Sequence, residues 1–149
     1  MEFKIPEPLK VEHAELHVEL RKATRESGHL GEAANTVAAL MHPHFVKEEK
    51  YALPPLGLLP QLAQGAVTRD MADLLPMIEK LKVELKEMLR EHKAIIAALT
   101  TFADAARKEN KLSYVRFADK LILHARTEEE IIYPTAILIG EYVKLKLGL

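Results

Sequence analysis

Apolar residues recur at steps of three and four along almost the whole chain. One run reads Ile78, Leu81, Leu85, Met88, His92, Ile95, Leu99 and Phe102. Phe117, Leu121, His124, Glu128 and Ile131 keep the same rhythm, as do Val37, Met41, His44, Glu48 and Tyr51, and Leu9, His13, Leu16 and Leu20. A seam with that period is a helix with one face in a core. Strand signals, alternation and β-branched runs, are scarce. Breakers divide the seams at Ser27-Gly28 and Gly31, at Asn110-Lys111, and across Leu53 to Gly65, where Pro54, Pro55, Gly57 and Pro60 cluster. The pattern predicts helices over roughly residues 8–27, 31–51, 69–108 and 112–147. Pro76 falls near the start of the third, and Pro134 should end or kink the fourth, with the tail to Leu149 continuing beyond. Four helices with one longer middle connection make an all-α, up-down-up-down four-helix bundle the simplest arrangement.

A length of 149 residues suits a single domain, 1–149, with its own core. The formal net charge is −1, which calls for neither nucleic acid nor an anionic membrane surface as partner. No unbroken apolar stretch approaches the ~18 residues of a membrane span, and residues 1–10 lack the apolar core of a secretory signal. The expectation is a cytoplasmic protein. With no cysteine, any metal must be held by histidine nitrogen and carboxylate oxygen. There are seven histidines, and their placement matters more than their number.

All four seams contain histidine, and two contain glutamate as well. A buried unpaired carboxylate costs several kcal/mol, and a buried imidazole still needs partners. No lysine or arginine stands on the seams at that level, so a metal is the readier remedy. His44 and Glu48 are four residues apart, as are His124 and Glu128, which puts each pair on one helix face. One such pair is usually a solvated face; two, each on an apolar seam, are a stronger signal.

The pairs also belong to an internal repeat. Glu12-His13 stands 31 residues before His44, and Glu91-His92 stands 32 before His124. Glu48-Glu49 and then Pro54 follow His44; Glu128-Glu129 and then Pro134 follow His124, each proline at plus ten. Two such halves facing each other bring four histidines and two glutamates to the centre of the bundle.

From about His13 to Pro134, nearly the whole chain resembles the hemerythrin-like, or HHE cation-binding, domains. The resemblance is carried by Glu12-His13, His44-Phe45-Val46-Lys47-Glu48-Glu49, Glu91-His92, and His124-Ala125-Arg126-Thr127-Glu128-Glu129 with Tyr133-Pro134. It implies a hemerythrin-like bundle holding two iron ions, with an oxo or hydroxo bridge between them and manganese or zinc as substitutes. By position, His13, His44, His92 and His124 are the implied terminal ligands, and Glu48 and Glu128 the implied bridging carboxylates. The oxygen carriers of the family have a further His four residues from the third-helix ligand, where this chain has Met88 and Ile96. His17, four after His13, is the candidate fifth histidine; the other reading leaves it at the solvent edge of the seam. The carriers also place an Asp five residues after the fourth-helix His, whereas Glu128 is four after His124. The chain thus looks more like the bacterial stress-linked and iron-sensing members than like the carriers.

Other candidates stay open on the sequence. Glu49 and Glu129 are suited either to orienting a ligating histidine or to a solvated rim, and Glu12 and Glu91 share that ambiguity. Tyr51 and Tyr133 fit a hydrogen bond near the ions or a core position with the hydroxyl at its edge. His42 points away from His44 and reads as surface or interhelical. Glu26-Ser27-Gly28-His29 spells a ferritin-like Glu-x-x-His, but it occurs once, contains glycine and lies off the seam. Leu53, Leu56, Leu58, Leu59 and Leu62 make the middle connection apolar enough to cap one end of the bundle, or to form a dimer contact.

Three functional readings follow. The first is a di-iron protein that binds or senses a small ligand (O2, NO or peroxide) or iron itself, as monomer or homodimer. The second is a di-iron enzyme consuming peroxide. The third is a metal-free structural bundle whose polar residues pair with one another.

Overall fold

Four long helical rods carry the seams, and the chain has no strand in the computed structural model, which describes residues 1–149. Helix α1 spans Glu7–Thr24 and α2 spans Gly28–Lys47, the latter running straight into a π turn at Glu48–Ala52. A 3₁₀ turn at Pro54–Leu58, the short α3 at Leu59–Ala63 and a second 3₁₀ turn at Arg69–Leu74 form the middle connection. Then come α4 at Leu75–Lys108 and α5 at Leu112–Thr127, a second π turn at Glu128–Ile132, and α6 at Tyr133–Leu147.

The boundaries follow local chemistry. Pro8 and Pro76 sit in the first turns of α1 and α4, where a missing N–H costs nothing. Basic residues close both helices, Arg21-Lys22 and Arg107-Lys108, where they favour the carbonyl end. Asn110 at φ 55 turns the chain after α4. The predicted break at Gly31 is not one. The helix already starts at Gly28, and a Cβ at Gly31 would lie 1.8 Å from the Glu26 carbonyl oxygen, so this glycine permits a close backbone approach. At Pro134 the last helix is interrupted and then continues, the second of the two expected outcomes: the ladder widens into the π turn before it and resumes as α6.

Neighbouring rods run antiparallel. His13 of α1 meets Glu49 beyond α2, while Asn35 reaches back to Thr24. Lys47 of α2 lies against Glu84 and Glu91 of α4. Phe102 of α4 meets Tyr114 and Phe117 of α5, and α1 against α5 closes the ring. The core is divided. One apolar cluster includes Leu16, Leu30, Phe45, Ile95, Phe102 and Phe117; the other includes Tyr51, Leu53, Leu74, Ile78, Met88 and Tyr133. On α4, His92 stands between Met88 of one cluster and Ile95 of the other; on α5, His124 stands between Leu121 and Ile132. A buried polar layer thus interrupts the core.

The middle connection caps the bundle as expected from its leucines. Leu53, Leu56, Leu58 and Leu62 are buried in the second cluster, and Leu59 alone of the five is exposed. The first residues cover the cap in turn, for a Cβ at Gly57 would lie 2.0 Å from the Lys4 carbonyl oxygen. No helix is long and apolar enough to cross a membrane.

Candidate metal centre

His13, His44, Glu48, His92, His124 and Glu128 are all buried, in one layer across the bundle. Each seam delivers its polar residue by helical register: His13 from α1, His44 from α2, His92 from α4, His124 from α5. Glu48 and Glu128 each open a π turn. The cause lies downstream. Pro54 and Pro134 have no N–H, and their rings crowd the preceding turn. The N–H groups of Leu53 and Tyr133 therefore reach five residues back, to the carbonyls of Glu48 and Glu128. Widened turns of this kind concentrate at functional sites.

The imidazoles are held from behind. His13 Nδ1 donates to Glu49 at 3.3 Å, His44 Nδ1 to Glu91 at 3.0 Å and His92 Nδ1 to Glu129 at 2.9 Å. His124 Nδ1 pairs with Glu12. A carboxylate on Nδ1 places the N–H there and turns the Nε2 lone pair inward, as a metal-binding histidine requires. The four glutamates left open by the sequence are thus histidine partners.

The inward atoms form two groups close enough to share an ion: His13, Glu48, His124 and Glu128 in one, His44, His92 and Glu128 in the other. Glu128 belongs to both, its Oε2 lying 3.2 Å from His124 Nε2 and its Oε1 3.3 Å from His92 Nε2. Glu48 Oε1 lies 3.2 Å from His44 Nε2, so this carboxylate too borders both groups. The two groups differ in how their donors are satisfied. His13 Nε2, His124 Nε2, Glu48 Oε1 and Glu128 Oε2 are buried with no hydrogen-bond partner. A buried polar atom left unpaired costs about 1–3 kcal/mol. Four such atoms converging, two nitrogens and two oxygens, are what a cation would satisfy. In the other group, His44 Nε2 and His92 Nε2 bond each other at 2.8 Å. The Tyr133 hydroxyl lies 3.3 and 3.2 Å from those nitrogens and donates to Glu48 Oε2 at 3.0 Å.

The titration behaviour agrees with this pairing. Burial works against charge on His44, but the hydrogen bonds and charges of Glu48 and Glu91 outweigh it and hold its pKa above the ordinary imidazole value. Burial, and then the His44 charge, push His92 down. The two shifts make His44 the readier of the pair to hold the proton between the Nε2 atoms. Burial lowers His124 as well. Burial raises Tyr133 strongly, with Glu48 adding to it, and keeps its phenol protonated.

Six of the seven residues expected as ligands meet in this layer; His17 does not. Its ring meets Phe45 edge-on at 4.6 Å, with His42 at 6.5 Å, and it is half-buried. Phe45 also packs on His13 at 4.4 Å, so an aromatic ring takes the space through which a fifth histidine would reach inward. His42 and His29 are exposed as read. The Tyr51 hydroxyl is buried without a partner, and burial pushes its pKa up to about 12. Lys47, quoted in the sequence only as part of the His44–Glu49 motif and given no role there, donates to Glu91 at 2.8 Å. A cavity of ≈ 10 Å³ lies beside His44, His92, His124 and Glu128, walled by Met41, Ile95, Leu121 and Ala125. Comparison of the chain with protein-family models, with curated proteins and with solved structures found no match.

Proposed function

We propose that the chain is a non-haem di-iron protein of the hemerythrin-like type, binding or sensing a small molecule such as O2, NO or peroxide. The observation that carries this reading is the set of four unpartnered inward atoms on His13, Glu48, His124 and Glu128, with Glu128 shared by the group of His44 and His92. The donor set of nitrogen and carboxylate oxygen suits iron, and manganese or zinc in its place. Bound iron supplies a redox-active Lewis acid. The chain's own residues supply the rest. Glu12, Glu49, Glu91 and Glu129 orient the imidazoles, Glu48 and Glu128 bring negative charge to both positions, and the two apolar clusters exclude solvent. The ≈ 10 Å³ cavity is near the smallest that admits one water-sized molecule, which limits an incoming ligand to a few atoms.

One observation favours the enzymatic variant, consumption of peroxide. The Tyr133 hydroxyl is a protonated donor at the His44 and His92 position, where a peroxide oxygen would need a proton.

Metal analysis of protein purified without chelator should give about two irons per chain, with a near-ultraviolet band that changes on reduction by dithionite. Addition of O2, NO and peroxide to the reduced protein then separates ligand binding from turnover. A colourless chain that takes up no iron on anaerobic reconstitution would leave only the metal-free bundle.

A further inference from the structure

The two halves of the chain are related by more than sequence. His13 corresponds to His92, His44 to His124, Glu48 to Glu128 and Glu49 to Glu129. The outer carboxylates obey the same relation. Glu49 and Glu129 serve the histidine of their own half, while Glu91 and Glu12 serve the other half's His44 and His124. Exchange of the halves turns the His13–His124 group into the His44–His92 group. A faithful repeat would therefore build two equal ion positions.

Among the places where the repeat is broken, two set polar groups against the same position. Tyr133 corresponds to Leu53, which has no polar group; its hydroxyl bonds the Nε2 atoms of His44 and His92. Lys47 corresponds to Thr127. The Lys47 ammonium lies 2.8 Å from Glu91 Oε2, and the other oxygen of that carboxylate holds His44. Thr127 instead donates to the Leu123 carbonyl of its own helix at 2.9 Å, and Glu12 has His124 as its one partner.

We infer that the chain binds its two ions in order at unequal positions, the His13–His124 position first and tightly, the His44–His92 position second and weakly, and that Lys47 sets much of the difference. The inference rests on the two-metal reading above. A carboxylate behind a ligating imidazole raises the imidazole's basicity and fixes its orientation. A cation on that carboxylate draws charge from it and adds repulsion toward an arriving metal, so Lys47 disfavours an ion at His44, and Glu12 has no such cation beside it. The donors of the first position are already free, whereas those of the second must part from each other and from Tyr133 before they bind. Lys47 is a positioning residue: it touches no inward donor and acts through Glu91. Between the two affinities the chain holds a single ion, so occupancy of the second position follows the free metal concentration.

The test is a titration of the metal-free full chain with Co(II), read by calorimetry and by the visible bands of the bound ion. Two resolved steps are expected. Lys47→Met keeps the aliphatic stem and should tighten the second step about tenfold while the first stays in place. Thr127→Lys supplies the missing cation to the other half and should weaken the first step, bringing the two together. Lys47→Arg should keep the wild-type separation, which tells loss of charge from loss of packing. One concerted step or two equal steps in the wild type would overturn the inference. So would a Lys47→Met variant whose second step is unmoved or weaker, or an Arg variant that behaves like the Met one. Failure of the wild-type chain to bind any metal would instead sink the two-metal reading itself.

Discussion

A histidine one helical turn from another does not thereby join the same buried layer. His13 and His17 share one face of α1, yet only His13 is fully buried in the polar layer, and Phe45 packs against both rings. His17→Ala should therefore keep the full metal content, while His13→Ala should lose at least the ion of its own group; metal analysis of the two variants checks both. Retention by His13→Ala with loss by His17→Ala would reverse the assignment. The spacing of His44 to Glu48 and of His124 to Glu128 was legible because helical register alone brings those pairs together. The outer glutamates were half legible. Their helix positions allowed a histidine partner, but Glu91 and Glu12 reach histidines of the opposite half. That pairing depends on how the rods face one another.

At the level of elements, the prolines were easy to see and their effect was not. Each was expected to stop or bend a helix. Pro54 does end its rod, and beyond Pro134 the chain continues as α6; what was not expected is that both open the turn ahead of them, where Glu48 and Glu128 stand first. Periodicity does not register one widened turn, since the seam before it and after it stays apolar. The resumed helix must then lie close to α4, and Gly140 permits that approach. A Cβ there would lie 2.8 Å from Cγ2 and 3.1 Å from Cγ1 of the fully buried Ile78. Gly140→Ala gains about 1 kcal/mol of helix propensity but overfills a packed contact, at a cost of about 1–3 kcal/mol. The balance should be a loss, seen as a thermal midpoint lower by about 2–4 °C per kcal/mol lost in a chain of this size. A midpoint that rises would mean that α6 moves off α4 freely.

For the molecule as a whole, the polar layer ties folding to protons and, on the function proposed above, to metal. Without metal, burial holds His92, His124 and His17 below the ordinary imidazole pKa, while the bonds of His44 to Glu48 and Glu91 overcome its burial and hold it above. The three lowered groups favour the fold above the unfolded-state pKa of about 6.5, and that contribution is lost as pH falls through their folded values. His44 contributes the reverse: its stabilisation is complete below about 6.5 and is lost as pH rises through its folded value. Burial is the largest single influence on all four and works against the charged form, so the metal-free chain should lose stability as pH is lowered from about 7 to 5. Metal bound to the inward nitrogens competes with those protons and favours the folded state by mass action, by about 2.7 kcal/mol at a free concentration one hundred times Kd. Urea midpoints at several pH values, with and without metal, should show a large gain from metal at pH 7 that shrinks toward pH 5. A gain that is flat with pH would place the metal on groups other than these histidines. No gain at any pH would mean that the buried layer satisfies itself, as a structural polar network between two apolar cores.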